Sequence, residues 1–223
     1  MDARSPFAGI RAVIFDLDGT LIDSERYTDQ AIAELLAQRD IAAPDLDFLH
    51  FHGISWKRLD RLLKERFPIL ADADILSFLE KRFYELSAQA PPPPLPGARE
   101  AFLQASAQLP VAIVTGSGAA DVEAFLDRTE LHTACSFYLS YEMYNPSKPD
   151  PTCYKMAAAR LDLPPGQCLV FEDSHPGLTA AHQAGMRTIA ITHSSLPPPP
   201  GLADQIIEDY TTLPADFFCA ITS

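Results

Sequence analysis

Apolar residues along this 223-residue chain fall into two distinct patterns. Short uninterrupted runs occur at Val13–Phe15, Val111–Val114, Phe137–Leu139, Cys168–Phe171 and Thr188–Ile191. Runs of this length suit strands buried on both faces. Stretches of helical period separate the later runs. That alternation predicts an α/β domain built on a mostly parallel sheet, with a last strand expected around Ile206.

The interval from Leu21 to Ala90 carries the second pattern. It has no strand-like run but three amphipathic stretches: Ala31, Ile32, Leu35 and Leu36; Trp56, Leu59, Leu62 and Leu63; Leu76, Leu79, Phe83 and Leu86. Each follows i, i+3, i+4 spacing, which predicts three helices with one apolar face apiece. The run Pro91-Pro92-Pro93-Pro94-Leu95-Pro96-Gly97 then imposes an extended backbone. Composition alone allows a linker or a recognition motif for a proline-binding domain. Its place at the return from the helical interval to the α/β pattern favours the linker. A second run, Pro197–Pro200, reads as a surface connection before the last strand.

Composition narrows the partners. Hydrophobic residues make up 47% and charged residues 21% of the chain, as in ordinary soluble proteins. The formal charge of −13, with no basic run, argues against a nucleic-acid partner, which needs phosphate-neutralising Lys and Arg. An anionic substrate remains compatible if positive charge is concentrated locally by a metal and one or two lysines. Cys135, Cys153, Cys168 and Cys219 show no C-x-x-C spacing and read as reduced thiols. The stretch Met1–Pro6 lacks an apolar leader core, and no run of about 18 apolar residues occurs. A soluble, cytoplasmic protein with no membrane partner is expected.

Four strand ends carry candidate chemistry, and ligands of open α/β sheets bind beyond those ends. The first run leads into Asp16-Leu17-Asp18-Gly19-Thr20. In an extended strand, carboxylates two positions apart share a face, where they repel unless a cation or a chemical task compensates. The second ends in Thr115-Gly116-Ser117-Gly118, hydroxyls and backbone N–H groups suited to phosphate, although this is also ordinary turn chemistry. Past the third, Ser147-Lys148-Pro149-Asp150-Pro151 mounts a lysine between rigid residues. The fourth ends in Glu172-Asp173-Ser174, with Pro176 suited to the first turn of a helix and Gly185 to its end. N-capping by Asp173 or Ser174 leaves Glu172 without a role. Oxygen ligands from two strand ends, without a His/Cys cluster, point to Mg²⁺ rather than Zn²⁺. His50-x-His52 has metal-like spacing but no third ligand nearby. His175 adjoins the second acid pair, and His182 is expected on a solvent-facing or packed helix face.

Taken in order, Asp16-Leu-Asp-Gly-Thr-Leu-Ile-Asp-Ser-Glu25, Thr115, Lys148-Pro-Asp-Pro and Glu172-Asp-Ser-x-x-Gly-x-x-Ala-Ala-x-x-Ala-Gly-Met resemble the four motifs of the haloacid dehalogenase superfamily. The ordered set spans nearly the whole chain and is far more specific than any single motif. The resemblance is nearest to the branch with a helical cap after the first motif, which includes sugar phosphatases and beta-phosphoglucomutase. It implies a Rossmann-like parallel-sheet core of residues 1–22 plus 92–223, with an inserted α-helical cap at 23–91.

The resemblance also implies roles. Asp16 would be the nucleophile and Asp18 the general acid and base. Mg²⁺ would be held by Asp16, Asp18 through its backbone carbonyl, and Asp173, with Glu172 in support. Lys148 would neutralise charge, and Thr115, Gly116 and Ser117 would hold the transferring oxygens. Glu25, Lys57 and Lys81 are candidate substrate contacts on the cap. Trp56 and Arg58 are further contributors, although Trp56 also fits a cap core and the basic residues also fit a solvated helix face.

Phosphomonoester hydrolysis on a small phosphorylated metabolite is the expected activity. A sugar, polyol or sugar-acid phosphate comes ahead of a nucleotide or phosphoglycolate. Asp18 argues against dehalogenase and phosphonate chemistry. A mutase of the resembling type carries a cap histidine where this chain has Thr28, and an arginine where Trp56 follows Gly53-Ile54-Ser55. A non-catalytic binding protein on the same fold would be expected to lose some of these acids. A monomer is expected.

Overall fold

In the computed structural model, which describes residues 6–54 and 56–222, each of the expected apolar runs is a strand. They are β1 (Ala12–Phe15), β2 (Val111–Val114), β3 (Phe137–Leu139), β4 (Cys168–Glu172), β5 (Arg187–Ile191) and β6 (Gln205–Ile207). All pair in parallel, in the order β3-β2-β1-β4-β5-β6. The chain works outward from β1 on one side and then from β4 on the other. The crevice between their C-terminal ends is therefore the switch point where ligands of such sheets bind.

Alternation along β1 explains why the run is continuously apolar. Val13 and Phe15 pack on one face with Ala101 and Phe102 of α4 (Ala98–Ser106), Val122 and Phe125 of α5 (Ala119–Thr129), and Phe217 of a short last helix (Phe217–Ala220). Ala12 and Ile14 pack on the other with Tyr154 and Ala157 of α6 (Thr152–Leu161) and Ala180 and Ala181 of α7 (His175–Ala184). Both sheet faces are covered, so the central strands β1, β2 and β4 stay apolar until their C-terminal ends.

The interval after β1 forms α1 (Glu25–Gln38), α2 (Trp56–Arg66) and α3 (Ile75–Gln89), with their own apolar cluster. Ala31, Ile32, Leu35, Leu59, Leu63 and Leu79 are buried there as the periodicity implies. On α3 the buried stripe includes Ile75, whereas Leu76 and Phe83 are only half-buried. The two chain crossings beneath these helices run side by side. Asp23 N–H donates to the Pro93 carbonyl at 2.9 Å and Leu95 N–H to the Leu21 carbonyl at 2.9 Å. The proline run thus serves as an extended connection, its missing N–H groups facing away from the pairing. Residues 1–5 of the stretch read for a leader, and Ser55, lie outside the described residues. No described helix is long and apolar enough to cross a membrane. All four cysteines are free thiols.

Candidate active site

β1 ends at Phe15, the chain bends at Leu17 between the two acids, and Asp18 makes an isolated bridge with Ile22 instead of continuing the strand. Both acids nevertheless line one cavity, as their spacing implies, and the two carboxylates have different partners. Asp16 N–H donates to the Phe171 carbonyl at 3.0 Å, which carries the neighbouring strand's pairing one residue further. Its carboxylate accepts from Lys148 Nζ at 2.6 Å. Asp18, half-exposed, accepts a short hydrogen bond from the Ser117 hydroxyl.

Lys148 is the centre of charge. Its ammonium also donates to Glu172 Oε1 at 2.6 Å and to the Val114 carbonyl at 3.1 Å. Glu172 is fully enclosed: its other oxygen accepts from the Ser174 N–H at 2.9 Å and hydroxyl at 3.0 Å, and Tyr154 donates to Oε1 at 3.1 Å. Ser174 caps α7 by accepting from Gly177 N–H at 3.1 Å, which leaves Asp173 free to face the crevice. Asp173 is held by the hydroxyls of Thr20 at 3.1 Å and Ser195 at 2.7 Å.

Two glycines make room for these acids. Gly19, at φ +69°, lies so near that a Cβ there would sit 2.2 Å from Asp173 Oδ2, and one at Gly177 would sit 1.6 Å from Glu172 Oε1. Side-chain oxygens of Asp16, Glu172 and Asp173 come within 4.8 Å of one another. Burial, opposed by Lys148 and reinforced by Glu172 and Asp18, raises Asp16 to about 8. Burial, then Glu172 and Asp16, raises Asp173 well above the carboxylate range. Burial opposes the charge on Lys148, but Asp16 and Glu172 outweigh it and hold the ammonium above its ordinary value. With one ammonium for three buried acids, ionising all of them would leave unbalanced negative charge. An all-oxygen cluster with that imbalance suits a hard divalent cation, with Glu172 already engaged by Lys148 and Ser174.

The acids floor a cavity of about 1140 Å³ between the sheet edge and the helical interval. Thr115, Gly116 and Ser117 line it from β2, and a Cβ on Gly116 would meet nothing within 4 Å. Thr115 Oγ1 accepts from Ser117 N–H at 3.0 Å, which shapes the turn. Glu25 lines the opposite wall, raised by burial and tied to Gly53 N–H at 2.7 Å. Trp56 opens α2 beside the cavity and meets Phe83 edge to face at 5.3 Å, so it is cavity wall as well as packing.

Lys57 and Lys81 do not reach this wall. Phe83, Tyr84, Ser87 and Ala88 are the α3 residues that face the cavity; Lys81 points off that face, exposed, with Glu85 at 3.8 Å. Lys57 is exposed on α2, whereas Arg58 lines the cavity. His50 is exposed beside Asp47, and His52 is engaged elsewhere, so the pair does not converge. His175 is exposed at the start of α7, and His182 lines a separate cleft of about 450 Å³.

Sequence reasoning assigned no role to Thr20, Tyr154, Ser195, Phe83, Tyr84, Arg128 or Tyr141 at this site. Thr20 adjoins the first acid pair and Phe83 belongs to a recognised helical stripe. The others carry no local signal.

A profile of the haloacid dehalogenase-like hydrolases matches residues 10–185. The protein CbbY of Rhodobacter capsulatus is 31% identical over 197 residues, which cover 81% of this chain and 84% of that protein. Validoxylamine A 7'-phosphate phosphatase of Streptomyces hygroscopicus subsp. limoneus is 28% identical, covering 90% of this chain and 94% of that one. Among solved structures, a HAD-family hydrolase of Deinococcus radiodurans with bound phosphate and sodium superimposes with a TM-score of 0.76 at 27% identity, covering 96% and 97% of the two chains. The acid-lined switch point and the profile that runs from β1 through α7 lead to one conclusion: this chain belongs to the haloacid dehalogenase-like hydrolase family.

Proposed function

We propose that the protein is a Mg²⁺-dependent phosphatase that hydrolyses a small phosphomonoester through an aspartyl-phosphate on Asp16. The observation that carries this reading is the buried Asp16 carboxylate, 2.6 Å from Lys148 and facing a large cavity at the switch point of the sheet. Asp16 attacks phosphorus as the substrate's P–O bond breaks, and Asp18 gives its proton to the leaving alkoxide. Asp18, now a carboxylate, takes a proton from water as that water attacks phosphorus and frees Asp16. The Ser117 hydroxyl on Asp18 orients the carboxyl for both transfers. Lys148 offsets the charge between Asp16 and an arriving phosphate dianion, and Thr115, Gly116 and Ser117 receive its oxygens.

Asp16, Asp173 and the Asp18 backbone carbonyl would hold the Mg²⁺, with Glu172 in support. The ion would supply electrostatic neutralisation of the phosphate. Residues 23–91 act as a cap over a core of 1–22 and 92–223, excluding water and selecting the leaving group. A phosphorylated sugar, polyol or sugar acid is the substrate class, supported by similarity to a Thermotoga maritima protein named phosphorylated carbohydrates phosphatase. Thr28 and Trp56 line the cavity where the resembling mutase has histidine and arginine, which favours hydrolysis over transfer.

The test is Mg²⁺-dependent phosphate release from an aryl phosphate and then from a panel of phosphorylated metabolites. Release that requires Mg²⁺ is expected. Interconversion of sugar phosphates without net release would establish the mutase instead, and inactivity throughout would overturn the reading. Saturating Mg²⁺ should also raise Tm by roughly 5–10 °C, from about 2.7 kcal/mol of linkage at a hundred times Kd.

A further inference from the structure

His52 lies outside the catalytic cluster, yet its side chain is only 4% exposed. Nε2 lies 2.6 Å from Asp29 Oδ1 on α1, and Nδ1 makes a short hydrogen bond to the Ser194 carbonyl in the loop after β5. A carbonyl and a carboxylate both accept, so both ring nitrogens donate and the ring is an imidazolium; a neutral ring has one N–H and can satisfy one partner only. The two partners belong to different layers, Asp29 to the helical interval and Ser194 to the sheet domain. Around them, Ser194 Oγ donates to Asp23 Oδ1 at 3.2 Å and the next residue, Ser195, holds Asp173. On the other side of His52, Gly53 (φ +63°) donates to Glu25 and packs so closely on the α7 turn that a Cβ would sit 2.8 Å from Ser174 Cβ.

We propose that His52 is a positioning residue whose doubly bonded ring clamps the helical interval to the sheet domain and so sets the closed geometry of the cleft. The consequence for turnover rests on the phosphatase reading; the clamp does not. The titratable groups around the ring are Glu25 and Asp29 of α1 and Asp23 just before it, with exposed His193 beside Ser194. Burial alone would drive the proton off. The bond to Asp29, the charge of Glu25 and the Ser194 carbonyl outweigh it and lift the ring to about 9. Raising the pH through that value removes one of the two donors, and the clamp lets go on one side.

The experiment uses the full chain and two readouts. Imidazole NMR of His52 should titrate near pH 9 in the wild type and more than one unit lower in Asp29→Asn. Titration near 6.5, or an unchanged value in Asp29→Asn, overturns the clamp whether or not any phosphate ester is turned over. On an aryl phosphate with Mg²⁺, His52→Gln should lower kcat/KM by about 10- to 100-fold, mainly through KM, because loose mounting misplaces the wall by a fraction of an ångström. It should also lack the alkaline fall near pH 9 that the wild type shows. A His52→Gln variant with wild-type KM and an unaltered pH profile overturns the proposal. If that variant does not fold, Asp29→Asn must shift the alkaline limb downward in the same assay, and a stationary limb is equally fatal.

Discussion

The sheet edge and the helical interval face the same cavity with opposite strategies. At the sheet edge almost every polar atom has a fixed partner: Lys148 has three acceptors, Glu172 four donors, and Asp173 two hydroxyls. The helical wall presents Trp56, Phe83 and Tyr84, together with the exposed Arg58. A set of buried, mutually bonded charges can keep one geometry only, whereas apolar surface tolerates many shapes. In the proposed function the chemistry falls to the rigid side and selectivity to the adaptable one.

The comparison is broken first at the nucleophile. Asp16→Asn should reduce kcat by about 10⁴-fold or more, as loss of a covalent nucleophile does, with the fold retained by circular dichroism. Activity within tenfold of wild type would remove Asp16 from that role. Crowding the rigid side without touching a carboxylate is the next test. Gly19→Ala puts a methyl where Asp173 Oδ2 stands, on a left-handed backbone, and should lower kcat by about 10²- to 10³-fold while raising the Mg²⁺ concentration for half-maximal rate. An unchanged Mg²⁺ requirement would separate Asp173 from the metal.

The adaptable side should respond in KM. Trp56→Ala removes about 2–3 kcal/mol of apolar contact, so KM should rise by roughly 30- to 100-fold with kcat changed less than threefold. A loss confined to kcat would mean that Trp56 orders the catalytic edge. Lys81→Ala is the smallest case: its ammonium is exposed beside Glu85, and both kinetic constants and Tm should stay within about twofold and 1 °C. A larger KM effect would place Lys81 at the substrate after all.

The strands were legible because each buried run is locally continuous, whereas their order in the sheet came only from the structure. Asp16, Lys148, Glu172 and Asp173 were legible because strand ends of a parallel sheet share one edge. The bend at Leu17 was not, because pleat alternation assumes that the strand continues. Nor was the outward course of Lys81: a period of 3.6 tells which residues share a face but not which face turns to a neighbouring domain. Ser195 on Asp173 and His52 on Ser194 join residues 22 and 142 positions apart, and no local pattern announces such a pairing.

By itself the order of residues determined a parallel α/β sheet, a helical interval after the first strand, and acids with a lysine at the strand ends. Those features follow from short-range rules, namely the apolar period, proline and glycine stereochemistry, and the repulsion of like charges. Only the tertiary structure decided which of two adjacent acids faces the crevice, which cap residues form the wall, and where the two layers are joined. Such outcomes depend on crossovers and packing that bring distant residues within hydrogen-bond reach, where a displacement of one ångström decides whether a contact exists.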